Sequence, residues 1–124
     1  MVHILLITVR KDGLKPFIEG LASEPQVRLE LVSAGARALE MVRTGCPQLV
    51  IVDSTSDGLE SLDVVRRIIS VNAMVNTAVV SSLSDEEFHD KGEGLGILCR
   101  LPESPGGEDS KALLQKLRDL SGAA

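Results

Sequence analysis

In the stretch Leu49-Val50-Ile51-Val52-Asp53-Ser54-Thr55-Ser56-Asp57, four apolar residues run straight into a carboxylate. A carboxylate at the end of a buried strand has two readings. It caps a loop, or it is the group that an open parallel sheet holds at its C-terminal edge, where such sheets place their chemistry. Few other residues carry chemical potential. Arg10 and Lys11 follow the first apolar run and are cations that could meet Asp53 in a charge-assisted hydrogen bond; Asp12 comes next. Ser81 and Ser82 end a later apolar run. His89 stands beside Asp85, Glu86, Glu87 and Asp90, and a lone histidine in an acidic loop reads as solvated rather than metal-bound. Cys46 and Cys99 belong to no CxxC or Cys/His cluster, so they read as buried thiols of a reducing cytoplasm. VRKDG, after the first apolar run, is neither GxGxxG nor a Walker motif, and no Ser-His-Asp or Cys-His pairing is suggested.

The elements that would position these groups alternate along the chain, as βα units of a parallel sheet do. Strands are expected at Val2–Val9, Val27–Val32, Gln48–Asp53, Thr77–Ser82 and Gly96–Leu101. VRLELV alternates like an edge strand with one covered face, whereas LVIVD and TAVV are continuous, like strands covered on both faces. Leu14, Phe17, Ile18 and Leu21 form a helical stripe with Pro16 in its first turn, where proline is tolerated. Further helices are expected over Ala34–Arg43, stopped by Gly45 and Pro47, over Gly58–Val71 and over Asp109–Leu120. SDEEFHDKGEG starts well, with Ser84 and Glu87 three residues apart, but has only Phe88 to bury, so a short or frayed helix is expected. PESPGG reads as a loop and SGAA as a terminal fray.

The 124 residues fit one domain over 1–124, with its core at about 2–120, and 44% hydrophobic content without Trp or Tyr requires an aliphatic core. A net charge of -5 argues against non-specific binding to nucleic acid or anionic membranes. The opening VHILLITV lacks a basic leader and a small-residue cleavage site, so it reads as a strand and not a signal peptide. A soluble cytoplasmic protein is expected.

The block GARALEMVRTGCPQLVIVDSTSDGLESLDVVRRI resembles the second helix, third strand and third helix of the receiver domain of bacterial response regulators. Ala38-Leu39, Gly45-Cys46-Pro47, the strand ending in Asp53 and the pair Arg66-Arg67 carry the likeness. Thr77–Ser82 resembles the family's fourth strand, and Gly94 with Leu101-Pro102 its Gly-Ala…Lys-Pro close. The resemblance implies an α/β, doubly wound (βα)5 flavodoxin-like sandwich with a parallel sheet in order 2-1-3-4-5. It implies Asp53 as the phosphoacceptor-like residue and Ser81 as the switch-like hydroxyl. It also implies two-component phosphorelay signalling, a protein partner that is a sensor kinase or an output protein, and no catalytic turnover. Homodimerisation through the fourth-strand to fifth-helix face is common in the family, although the short acidic fourth helix here is a remodelled one.

The departures bear on mechanism. The family's two magnesium-binding acids align with Val9 and Arg10, its lysine with Leu101, and Arg100 lies one residue off, facing the other side of the strand. Asp57 and Ser61 replace a proline and a glycine. No cofactor is expected; were Mg2+ to bind, Asp53, Asp12 and Thr55, or a rearranged Asp57, would be its oxygen ligands. The expectation is a signalling interaction module in which Arg10 or Lys11 replaces the metal. Two alternatives stand beside it: a working receiver phosphorylated on Asp53, and a small-ligand-binding flavodoxin-like protein.

Overall fold

The computed structural model describes residues 2–120, so the SGAA tail lies outside the described residues. The elements follow in the order β1 (Val2–Ile7), a 3-10 turn (Lys11–Leu14), α1 (Lys15–Ala22), β2 (Val27–Val32), α2 (Gly35–Gly45), β3 (Leu49–Val52), α3 (Ser61–Val71), β4 (Asn76–Val80), α4 (Asp85–Gly92), β5 (Cys99–Leu101) and α5 (Gly107–Leu120). All pairings are parallel, and the strand order is β2-β1-β3-β4-β5, as expected. The chain leaves β1 toward β2 and returns on the other side to β3, so the topological switch lies between β1 and β3. Ile7 pairs with both Val32 and Val52, which aligns the C-terminal ends of the three strands and opens the crevice at that switch.

Two apolar layers enclose the sheet. Ile4, Leu6, Leu49 and Ile51 face Phe17, Leu21, Leu113 and Leu117 of α1 and α5. Leu5, Ile7, Val50 and Val52 face Ala38, Val42, Val65 and Ile68 of α2 and α3. β3 is buried along its whole length, which explains its unbroken run of apolar residues. In β2, Val27 and Leu29 join the first layer and Val32 joins the second, so this edge strand is not simply one-sided; Leu31 stays exposed.

Several bounds differ from those expected, for local reasons. Gly94 and Gly96 take positive φ (82° and 64°), so the extended run before β5 is broken and only Cys99–Leu101 pairs. Gly58 at φ 75° likewise delays α3 until Ser61. Strands β1, β3 and β4 end one or two residues early, so Thr8, Asp53 and Ser81 stand just beyond the ladder. α5 starts two residues before Asp109, and Asp109 accepts a hydrogen bond from Gly106 N (2.8 Å) across its first turn. α4 is the expected short helix, with Ser84 accepting from Glu87 N (3.2 Å). The cysteines correct the expectation: Cys46 is exposed at φ 44° as the left-handed cap of α2, and Cys99 is only half-buried.

α1 and α5 pack tightly at Gly20. A Cβ there would lie 3.0 Å from Ser110 Cβ and 3.3 Å from Gly107 Cα, where backbone cannot give way. Gly20→Ala gains up to about 1 kcal/mol of helix propensity but overpacks the helix pair, at a cost of about 1–3 kcal/mol. Urea unfolding should therefore show a net loss of stability, partly recovered in Gly20→Ala/Ser110→Ala.

Candidate functional site

Beyond the end of β3 the backbone stays attached to β1: Asp53 N and Ser54 N both donate to Ile7 O, at 2.9 and 3.2 Å. Thr8 N continues the β1–β2 ladder with a 3.0 Å bond to Val32 O. Asp53 and Thr8 thus meet side by side at the switch point. The chain then turns back on itself, because Arg10 N donates to Thr8 Oγ1 (3.0 Å), and this aims the Arg10 side chain over Asp53.

The Asp53 side chain is only 3% exposed. Its two oxygens accept five hydrogen bonds. Arg10 Nη2 donates to Oδ1 at 2.7 Å, and Arg10 Nε is shared between Oδ1 and Oδ2 at 3.1 and 3.0 Å. Thr8 Oγ1 and Ser54 Oγ donate to Oδ2 at 2.7 and 2.9 Å. Burial alone would raise the Asp53 pKa. The bonds from Arg10, Thr8 and Ser54 and the charge of Arg10 outweigh it, so the carboxyl sits below its usual range. The bond to Asp53 holds the Arg10 pKa up in turn. Arg10 Nη2 also donates to Glu103 O (2.6 Å), so one guanidinium ties together the connections that follow β1, β3 and β5.

Of the cations expected near Asp53, Arg10 is brought to it and Lys11 is not. Lys11 lies on the far side of β1, in a hollow shared with Val9, Leu31 and Ser33. Asp12 is exposed in the 3-10 turn. Thr55 Oγ1 donates to Leu59 O (2.9 Å), within its own loop. Asp57 reaches away from Asp53 and accepts from Gly35 N and Ala36 N (3.1 and 3.0 Å). It supplies the N-terminal cap that Ala34 cannot, and these two bonds lower its pKa.

Ser81 lines a pocket of about 350 Å3 with Arg10, Asp53, Ser54, Ser82 and Glu103, but its hydroxyl accepts from Leu83 N (3.1 Å). Leu101 is buried in the core, and Arg100 points to the opposite face of β5, toward Asp85. Arg66 pairs with Asp63 (2.7 Å), and His89 is exposed. Thr8, Ser54 and the Glu103 carbonyl were not singled out from the sequence. Thr8 could have been found from its place one residue beyond a buried strand; a backbone carbonyl has no sequence signal.

No protein-family model matches the chain, and no curated protein matches it. Solved structures do. The signal receiver domain of an HD domain-containing protein from Pseudomonas fluorescens Pf-5 is 19% identical with a TM-score of 0.80, over 98% of this chain and 90% of that one. Chemotaxis response regulator CheY4 of Vibrio cholerae is 16% identical (TM-score 0.78; 94% and 98% covered). The signal receiver domain of the response regulator NarL from Mycobacterium tuberculosis is 17% identical (TM-score 0.76; 94% and 96% covered). The chain has the receiver-domain fold.

In a receiver-type magnesium site, acids after the first strand would stand beside the phosphoacceptor. The residues here do not fit one: Val9 offers no oxygen from its side chain, and Arg10 already occupies both Asp53 oxygens. Among the described residues no group of three His, Cys, Asp or Glu side chains is placed to hold a metal ion.

The ion pair sets an acid limit. An unfolded carboxyl titrates near about 3.9, and the folded Asp53 value lies below it, so the pair contributes in full above about pH 5. That contribution is lost as the pH falls through 3.9 and on through the folded value. Asp53→Asn should flatten this acid-side slope in urea unfolding followed against pH. Arg10→Met should leave the carboxylate buried with only hydroxyl donors, so its pKa should rise above the usual range in a 13C carboxyl titration. With the Arg10 side chain 36% exposed and the pair partly screened, the stability loss should be about 1–3 kcal/mol.

Proposed function

We propose that this chain is a signalling module of the two-component type, with an Asp53 pocket fixed in one state by Arg10 in place of a bound metal. It acts by presenting its surface to a protein partner, a sensor kinase or an output protein, and it turns over no substrate. The observation that carries this reading is the pair of Asp53 oxygens held by one guanidinium. Phosphoryl transfer to a carboxylate needs a free oxygen lone pair in line with the leaving group, and a cation on the equatorial phosphoryl oxygens. Here the cation sits on the attacking group instead. Releasing it would leave the buried carboxylate with only its hydroxyl donors, at a cost of about 1–3 kcal/mol.

The receiver fold and the pocket beside Ser81 and Ser82 support the signalling class. The exchange of acids for Val9 and Arg10 supports the loss of metal dependence. No helix among the described residues is long and apolar enough to cross a membrane.

Incubation with acetyl phosphate and Mg2+, read by intact mass and peptide mapping, should leave Asp53 unmodified. The Asp53 amide resonance should not move on Mg2+ titration. Val9→Asp/Arg10→Asp, which restores two acids after β1, should bring Mg2+-dependent shifts to that amide. Ready labelling of Asp53 in the wild type would instead establish a working phosphoacceptor.

A further inference from the structure

α4 is the least anchored helix of the fold. None of its eight residues is buried, and only Phe88 and Gly92 are even half-buried. A crevice of about 440 Å3 lies along it, lined by Phe88 and Gly92 of α4, Ile97 and Arg100 of the β5 segment and Lys116 of α5. Its exit runs through Gly94 and Gly96, both at positive φ, so the connection to β5 is built from residues of wide conformational range. Its entry is capped locally by Ser84 and Glu87, which stabilises the helix as a helix without attaching it to the sheet.

Attachment comes from Phe88, which packs against the second apolar layer, and from Arg100. Its Nε and Nη2 lie 2.9 and 2.7 Å from Asp85 Oδ1 at the first residue of α4. Its Nη1 donates to Ser81 O at the end of β4 (3.1 Å). One side chain from β5 thereby brackets both ends of the Ser81–Asp85 connection. The Asp85 side chain is 90% exposed, and an ion pair so open to water is weak and salt-sensitive.

We propose that α4 is a detachable element, and that Arg100 is the clasp that sets how often it is docked. Local opening of α4, hinged at Gly94 and Gly96, is then a step separate from unfolding of the sheet. It requires nothing of Asp53, so it stands whether or not that residue accepts a phosphoryl group. Ser81 joins the two regions: its carbonyl is held by the clasp, and its side chain lines the Asp53 pocket. Opening the clasp therefore loosens the lip of that pocket as well.

Amide hydrogen exchange on the full chain tests this. In Arg100→Met the amides of Phe88–Gly92 should exchange at least fivefold faster than in the wild type, with β1 and β3 amides unchanged. Asp85→Asn, and the wild type in 1 M NaCl, should speed the same amides by a smaller factor. Glu86→Gln removes an equivalent charge from the first turn without touching Arg100 and should change little. Wild-type rates at Phe88–Gly92 in both Arg100→Met and Asp85→Asn would overturn the proposal. So would an increase spread equally over the sheet, or an equal effect of Glu86→Gln. Should Arg100→Met fail to fold, Asp85→Asn and the salt series decide the matter alone.

Discussion

A carboxylate that is 3% exposed has lost most of its hydration, and everything around the switch point is arranged to replace it. Moving such a charge out of water costs several kcal/mol unless its lone pairs are met. Thr8, Arg10 and Ser54 meet them from two separate connections, and neither Thr8 nor Arg10 could do so if β1 and β3 were out of register by one residue. The backbone bonds from Asp53 and Ser54 to Ile7 O hold that register past the ends of the strands. The polar site and the apolar ladder therefore constrain each other. The buried β3 brings the carboxylate to the edge, and the carboxylate's need for donors fixes how the following loops fold back.

The loop after β3 is pinned at its far end as well. Ser56 N donates to Ser33 O (2.7 Å), and Asp57 caps α2 through two backbone N–H groups. Gly35 is needed where this occurs, since a Cβ there would meet Leu59 Cδ1 at 2.8 Å and Asp57 Oδ1 at 3.3 Å. An acid in this loop invites reading as a metal ligand. Its geometry makes it a cross-loop cap, which serves the helix dipole of α2 and keeps the segment from Ser54 to Gly58 seated.

The layered fold and the strand order were legible because the apolar runs of β1, β3 and β4 are long, and the stripes of α1, α2 and α3 are regular. The likeness to receiver domains, read from Ala38-Leu39 through Arg66-Arg67, ordered them. Boundaries were less legible where glycine φ decided them, as at Gly58, Gly94 and Gly96. In the site, Arg10 and Asp53 could be paired from their places after two adjacent strands. The choice of Arg10 over Lys11 could not, because it depends on the Thr8 hydroxyl catching the Arg10 amide and turning the chain. Cys46 misled because its exposure follows from a left-handed helix cap, which its neighbours Gly45 and Pro47 obscured.

The cation's origin matters as much as its position. Where the resemblance to receiver domains would place a lysine, this chain has Leu101, buried in the layer under α1 and α5. A buried leucine there contributes about 1.5–3 kcal/mol of apolar burial, and the polar link from the Asp53 pocket to the connection after β5 runs the other way, from Arg10 to Glu103 O. A metal ion or phosphoryl group can shift a two-state element only by binding one state better than the other, and only while its concentration varies. Arg10 is part of the chain, so in the proposed reading its place on Asp53 does not depend on the supply of a metal ion or a phosphoryl donor. In the proposed reading, a pocket wired in this way responds to acid at Asp53 and otherwise only through its lip at Ser81. Whatever variability the fold retains must then come from elements that the pair does not hold, of which α4 is the one resting on the fewest buried contacts.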